Sequence, residues 1–419
     1  MLRKVIDYLR KKQNITIEDL VVEICSSTMY YKYLAGTKNL SEKNLDLIKD
    51  RLGADKLTKE EIQAFKKDLN KITLNIMKFY GSKNSFEKDI EPLIEIENQL
   101  ILNEELIIPY LIVKINYLLG CSDTKEVDDL IELLKVFEPK MSIVEKLMCY
   151  RFRILLNEFK DNEIENYLLP YIQLLEHNIY NKDFGTFVLS ATLYYMRLRN
   201  RIGAFRMVEK AIELFQRDIN IIGIVKATNT KGMLLITEGK YQEALDILIL
   251  NYDNCKKINA EYETLSCLAN IIECSLETSN KDISDKYFSI FLKKLNKITD
   301  IELVKTILNH ISVGLITTFD YYKKYDEINV LRDLIKKYQC FENIVVKKLY
   351  EYYELRSMDE IVEYATSELL PNIVGKAHFA YCRWLIDKCV LYYRNNRMYK
   401  KAADIEIEYV KVFQKYYYF

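Results

Sequence analysis

Eleven glycines and five prolines among 419 residues leave this chain few places to turn sharply. Both counts are well below ordinary usage. Hairpin-rich sheets, dinucleotide folds and phosphate loops spend glycine on backbone that side-chain-bearing residues resist. The prolines are Pro92, Pro109, Pro139, Pro170 and Pro371, so two hundred residues in the middle lack that helix breaker. Leu, Ile, Lys and Glu, good helix formers, are abundant. The expectation is an all-α chain of long helices with short connections.

At this length more than one domain is expected. A hydrophobic fraction of 49% supplies cores, and 29% charged residues supply a wet surface. Basic and acidic residues number 61 each, so the chain as a whole carries no field for nucleic acid. The first 60 residues hold 12 basic and 9 acidic side chains, a mild local bias. No uncharged apolar run reaches the ~18–20 residues of a membrane span. The most apolar stretch, residues 106–119, is interrupted by Pro109 and Lys114. The segment MLRKVIDYLRKK has the pattern of an amphipathic charged helix, not of a signal peptide.

Nine cysteines are scattered without a CxxC pair, and Cys267/Cys274 and Cys382/Cys389 are each one heptad apart. Such spacing suits buried free thiols in a reducing, cytoplasmic setting. His177, His310 and His378 lack ligand spacing, so no metal site and no cofactor are expected. No nucleophile elbow, phosphate loop or metal motif points to an enzyme.

The first 53 residues carry punctuation for four short helices. Val5, Ile6 and Leu9 share one face of a helix over 2–12. Thr16, with Asp19 three residues on, caps a second helix predicted to run to about Cys25. Ser26-Ser27-Thr28 caps a third, Met29 to Leu34, stopped by Gly36. Ser41 starts a fourth that Gly53 ends. A long charged helix over 58–80 follows, and Gly81 to Ser85 reads as the loop that ends it. The run ITIEDLVVEICSSTMYYKYLAGTKNLS resembles the helix-turn-helix of the Xre/Cro-type repressors. That resemblance makes the third helix the reader of DNA. Ser26 and Ser27 would then meet phosphate, Thr28, Tyr30, Tyr31 and Lys32 the major groove, and Lys38 and Asn39 the backbone.

Beyond residue 86 the chain repeats itself loosely. The best copy runs from Asn229 to Leu248: Gly232 as a small residue in a first helix, a turn at Gly239, then Tyr241 and Ala244 in a second. This resembles the tetratricopeptide pattern, whose ideal period is about 34 residues. Weaker copies centre on Tyr195/Ala204/Val208/Ala211, Asp285, Tyr325/Ile328, Met358/Ile361 and Tyr399/Ala402. Their anchors lie 40, 41, 43, 33 and 41 residues apart, a degenerate array with long helices. The full expectation is an all-α fold in which an N-terminal Xre-type helix-turn-helix (1–56) and a linker helix (57–85) precede a right-handed superhelix of tetratricopeptide-like helical hairpins (86–419).

That order is similar to the RRNPP family of peptide-pheromone receptors (Rgg, Rap, NprR, PlcR, PrgX), including clostridial members of the RstA type. The resemblance implies a dimeric, cytoplasmic transcription regulator whose hold on a double-stranded operator is set by a short linear signalling peptide. Sporulation, toxin or competence control would be its output. It leaves two alternatives, Rap-like binding or dephosphorylation of a response regulator and a repeat scaffold that binds no DNA. In such arrays the first helix of each pair lines the groove. Asn229 and Asn270 fall at matching places on successive repeats, with Asn309 within a turn of that place on the next. An asparagine ladder can hold a peptide backbone without reading its side chains. Lys226 is placed to meet a peptide carboxylate, and Tyr194, Met233 and Thr237 to wall the side-chain pockets.

Overall fold

The structure is a computed structural model that describes residues 1–54, 56–79, 87–120, 124–157, 164–179, 184–197, 200–258, 260–374 and 379–416. Every regular element among them is helical. The loop expected over Gly81 to Ser85 lies outside the described residues. The chain divides into two compact units, Met1–Tyr194 and Tyr195–Phe419.

In the first unit the helices are α1 (Leu2–Lys12), α2 (Ile17–Val21), α3 (Ser27–Leu34), α4 (Glu42–Arg51), α5 (Lys59–Phe79), α6 (Glu87–Glu95), α7 (Glu97–Leu102), α8 (Ile107–Gly120), α9 (Thr124–Lys135), α10 (Ile143–Asn157) and α11 (Ile164–Glu176). The unit boundary falls within α12 (Gly185–Arg197). Three caps act as their sequence suggests. The Thr16, Ser26 and Ser41 side chains accept hydrogen bonds from the Asp19, Met29 and Asn44 amides, meeting donors the helices leave unpaired. Val5, Ile6, Leu9, Leu20, Val21, Tyr30 and Ile48 are buried in the small core of α1–α4. The second helix is shorter than its hydrophobic pattern predicts. It stops at Val21, and Glu23 takes a left-handed φ of 61° that α-helix geometry cannot continue. Arg51 Nη1 closes that end, donating to the carbonyls of Asp19, Leu20 and Val22 at 3.1, 3.2 and 2.7 Å. The long α5 begins with a reciprocal cap between Thr58 and Glu61 and packs on α8.

The second unit continues with α13 (Arg201–Arg217), α14 (Ile221–Thr237), α15 (Tyr241–Cys255), α16 (Glu261–Glu277), α17 (Lys281–Leu295), α18 (Ile301–Tyr321) and α19 (Tyr325–Tyr338). After α20 (Ile344–Tyr352) and α21 (Met358–Tyr364), a π-helical turn over Ala365–Leu369 leads into α22 (Leu370–Ile373). The last two are α23 (Phe379–Asn395) and α24 (Tyr399–Tyr416). Consecutive helices pack as hairpins, α14 on α15, α16 on α17, α18 on α19 and α23 on α24. First helices also meet across repeats, α14 with α16 and α16 with α18, which is how stacked repeats bury one continuous core. The tetratricopeptide signature acts where it was read. A Cβ on Gly232 would come within 2.6 Å of the buried Leu248, so α14 and α15 cross where only hydrogen fits. Ala244 is fully buried, and Gly239 turns the chain at φ +71°.

Candidate functional site

On α14, residues 226, 229, 233 and 237 fall three or four apart and share one helical face. Residues 263, 266 and 270 do the same on α16. These two faces meet. Asn270 Nδ2 donates to Asn229 Oδ1 at 3.0 Å, and Asn229 Nδ2 donates to Ser266 Oγ at 3.0 Å. The register expected between Asn229 and Asn270 is therefore present as a direct amide–amide bond. Each amide has two donor hydrogens and two lone pairs, so the chain Asn270–Asn229–Ser266 keeps spare capacity on both asparagines while fixing their orientation. All three side chains are half-buried. Asn309 lies on the next first helix, α18, and its Oδ1 is buried without a hydrogen-bond partner among the described residues. Its carbonyl accepts from Asn343 Nδ2 at 2.8 Å.

The other expected groove residues differ in their surroundings. Lys226 is engaged, with Nζ 3.2 Å from Glu263 Oε1 and both side chains largely buried. A peptide carboxylate would have to compete with that partner. Tyr194 belongs to the first unit, where it is buried edge-on against Tyr171 at 5.2 Å. It packs there as a core residue. Met233 is exposed. Thr237 is exposed too, and its hydroxyl is turned back to the Met233 carbonyl at 2.7 Å.

Sequence reasoning passed over Tyr262 and His310. The Tyr262 hydroxyl lies 3.0 Å from His310 Nδ1, with the rings edge to face. Burial of the imidazole pushes the His310 pKa below its usual value. Glu273, one turn beyond Asn270, was also missed. Desolvation lifts its carboxyl to about 7, with the neighbouring Glu277 adding to the rise. Periodicity could place these positions on the α16 and α18 faces but could not report how crowded those faces are.

On the head, α3 presents Thr28, Tyr31 and Lys32 to solvent, the segment after it presents Lys38 and Asn39, and Ser26 is exposed at the cap with Ser27 half-buried. Tyr30 does not join them. It is fully buried, tilted against Tyr33 with ring centroids 6.1 Å apart, because its place on α3 faces α1 and α2. The Ser26 oxygen already caps Met29 at 3.3 Å, which leaves its O–H as a donor for an anion.

Among the described residues no cluster of His, Cys, Asp and Glu could hold a metal ion, and no helix is long and apolar enough to cross a membrane. The described cysteines are buried free thiols, Cys25 alone being half-exposed.

No protein-family model matches the sequence, and no curated protein matches it. Solved structures do match. A Rap protein in complex with Competence and Sporulation Factor superposes with a TM-score of 0.62 at 13% identity, over 84% of this chain and 98% of the other. The quorum sensor NprR from B. thuringiensis, in its apo form, gives 0.56 at 16% identity over 84% and 99%. This chain has the fold of the Rap and NprR proteins. NprR in complex with its cognate peptide NprX gives 0.53 at 19% identity, over 81% of this chain and 98% of the other. At such identities the Rap–NprR likeness is one of helical-repeat architecture.

Proposed function

We propose that this chain is a peptide-responsive transcription regulator of the RRNPP kind, working in the cytoplasm as a homodimer. Residues 1–56 would bind an operator through α3, residues 57–85 would link, and residues 86–419 would bind a short signalling peptide and dimerise. The observation that carries the reading is the amide chain from Asn270 through Asn229 to Ser266, fixed on adjacent first helices. A ladder of this kind matches the alternating N–H and C=O groups of an extended peptide. Supporting it, a Rap protein and NprR, which share this fold, form complexes with Competence and Sporulation Factor and with the cognate peptide NprX. For the head, the support is the exposed set Thr28, Tyr31 and Lys32 on a capped helix.

Peptides co-purifying with the chain from its native host, identified by mass spectrometry, supply the ligand for the test. Asn229→Ala with Asn270→Ala is expected to abolish the response to that peptide. Helix content should be unchanged and stability within about 1–2 kcal/mol. A double variant that responds normally removes the groove assignment. Separately, a footprint upstream of the chain's own gene should weaken by roughly 1–3 kcal/mol with Lys32→Ala if that lysine reads a base. Unaltered affinity with Lys32→Ala and Tyr31→Ala combined removes α3 as the reader.

A further inference from the structure

The head meets the rest of the first unit through charge. Lys12, on the last turn of α1, places Nζ 2.5 Å from Glu97 Oε2 on α7 and 2.8 Å from Glu126 Oε1 on α9. Lys114, from the middle of the apolar α8, bonds the other oxygen of Glu97 and reaches Glu126 Oε1 at 2.8 Å. Tyr8, one turn before Lys12, donates its hydroxyl to Glu126 at 3.4 Å. Lys114 and Glu97 are 3% and 8% exposed, while the Lys12 and Glu126 side chains are 35% and 30% exposed, so a dry inner pair is met at the solvent edge by an outer cation and carboxylate. Three of the four charges belong to α7–α9, and those three sum to one uncompensated negative charge. The head supplies the cation that neutralises it.

The surroundings repeat the pattern without filling the space. Beside the cluster a cleft of about 740 Å³ runs between α1 and α9. Arg3, Lys4 and Lys11 line its head side together with Asp7, which pairs with Lys11 at 2.9 Å, and Asp129 and Glu132 line its α9 side. The helices α1–α4 have a buried core of their own. Buried ion pairs add little net stability but demand one geometry, and salt screens them less than exposed pairs. A folded body joined to its support by such a contact can leave it without unfolding.

We propose that Lys12, Glu97, Lys114 and Glu126 form a latch that docks the α1–α4 head on α7–α9, closed when Lys12 fills the negative site and opening with the head intact. The latch stands on the contacts alone. Its consequence, that the latch sets the orientation in which α3 is offered to DNA, rests on the DNA-binding reading.

Amide hydrogen exchange on the full chain tests the latch without DNA, so its failure and the failure of that reading are separate results. Lys12→Met with Glu126→Gln removes one charge of each sign and leaves Lys114 paired with Glu97, which keeps the scaffold balanced. Exchange in α7 and α9, which lose the head's cover, is expected to rise about tenfold, with α2–α4 and α14–α18 unchanged, as for a local opening that leaves the head folded. Lys12→Gln, which alters no scaffold residue, should move the same helices in the same direction. Lys12→Arg, which keeps the charge, should stay near wild type. Wild-type exchange in both uncharged variants overturns the proposal, as does an Arg variant that exchanges as fast as the Gln variant.

Discussion

Two regions of this molecule join helices by opposite means. Along α13–α19 neighbours meet through small residues, and a continuous apolar core runs from α14 onward. Ala204, Ala211 and Ala244 are fully buried, and a Cβ on Gly223 would stand 2.4 Å from the Phe215 ring. Where α1 meets α7 and α9 the named bonds all end on carboxylates, two from Lys12 and one from the Tyr8 hydroxyl. Apolar contact is non-directional and scales with area, so it stabilises a stack of repeats whatever their small misalignments. Ionic contact to a largely buried carboxylate contributes less and tolerates fewer arrangements. The repeat is built to persist, and the head to be held in one place.

The comparison breaks if the repeat core tolerates a cavity. Phe291, fully buried on α17 and stacked on Phe288 at 6.2 Å, is its clearest probe. Phe291→Ala is expected to lose about 4 kcal/mol in urea denaturation of the full chain, from lost transfer energy and the void left behind. A loss under about 1 kcal/mol would mean that this core relaxes freely, and that close packing is not what holds the stack.

A smaller effect should separate charge from packing at the latch. Lys114→Met leaves Glu97 and Glu126 facing Lys12 alone, one excess negative charge in a buried place. That is expected to cost about 3 kcal/mol. Adding Glu97→Gln restores balance, since Lys12 then faces Glu126 only, and should recover most of the loss. If the double variant is no more stable than the single one, the cluster acts by shape and not by charge. Acid gives a second view. Burial alone would raise the Glu126 pKa, but hydrogen bonds from Lys114 and Lys12 more than offset it and hold the carboxyl below its usual range. A depressed folded-state pKa means the contribution is present above the unfolded carboxylate value and is lost as pH falls through the lower folded one.

The contrast also marks what could be read from sequence. Caps at Thr16, Ser26 and Ser41, the Gly232/Ala244 crossing and the Asn229–Asn270 register were legible because each depends on residues close in sequence or one repeat apart. The latch was not. Lys114 looked only like an interruption in an apolar run, because its carboxylates come from 17 residues before and 12 after and its second cation from α1. Tyr30 and Tyr31 are neighbours of one type, yet one is fully buried and the other 55% exposed. Which of the two α3 turns inward depends on where α1 and α2 lie. Tyr194 was expected to wall a side-chain pocket, and its ring is instead packed against Tyr171 in the first unit, a contact that no local spacing announces.

The smallest expected effect concerns the turn between α2 and α3, where the left-handed backbone falls on glutamate instead of glycine. Glu23 is exposed at φ 61°, and Ile24 and Cys25 both donate to the Val21 carbonyl around it, at 2.9 and 3.0 Å. A side-chain-bearing residue there carries roughly 1–2 kcal/mol of steric penalty that glycine avoids. Glycine in turn loses about 0.5–1 kcal/mol more backbone entropy on folding. The difference predicts that Glu23→Gly stabilises the chain by about 0.5–1 kcal/mol, while Glu23→Ala, which keeps a Cβ, gives no gain. Both variants leave the Arg51 bonds to Asp19, Leu20 and Val22 in place, since those go to backbone carbonyls. Urea midpoints at constant slope decide the matter. Equal midpoints for the Gly and Ala variants would mean that the Arg51 clamp, and not the residue at 23, carries the strain of the turn. The α2–α3 angle would then be set from α4 as firmly as the head's position is set from α9.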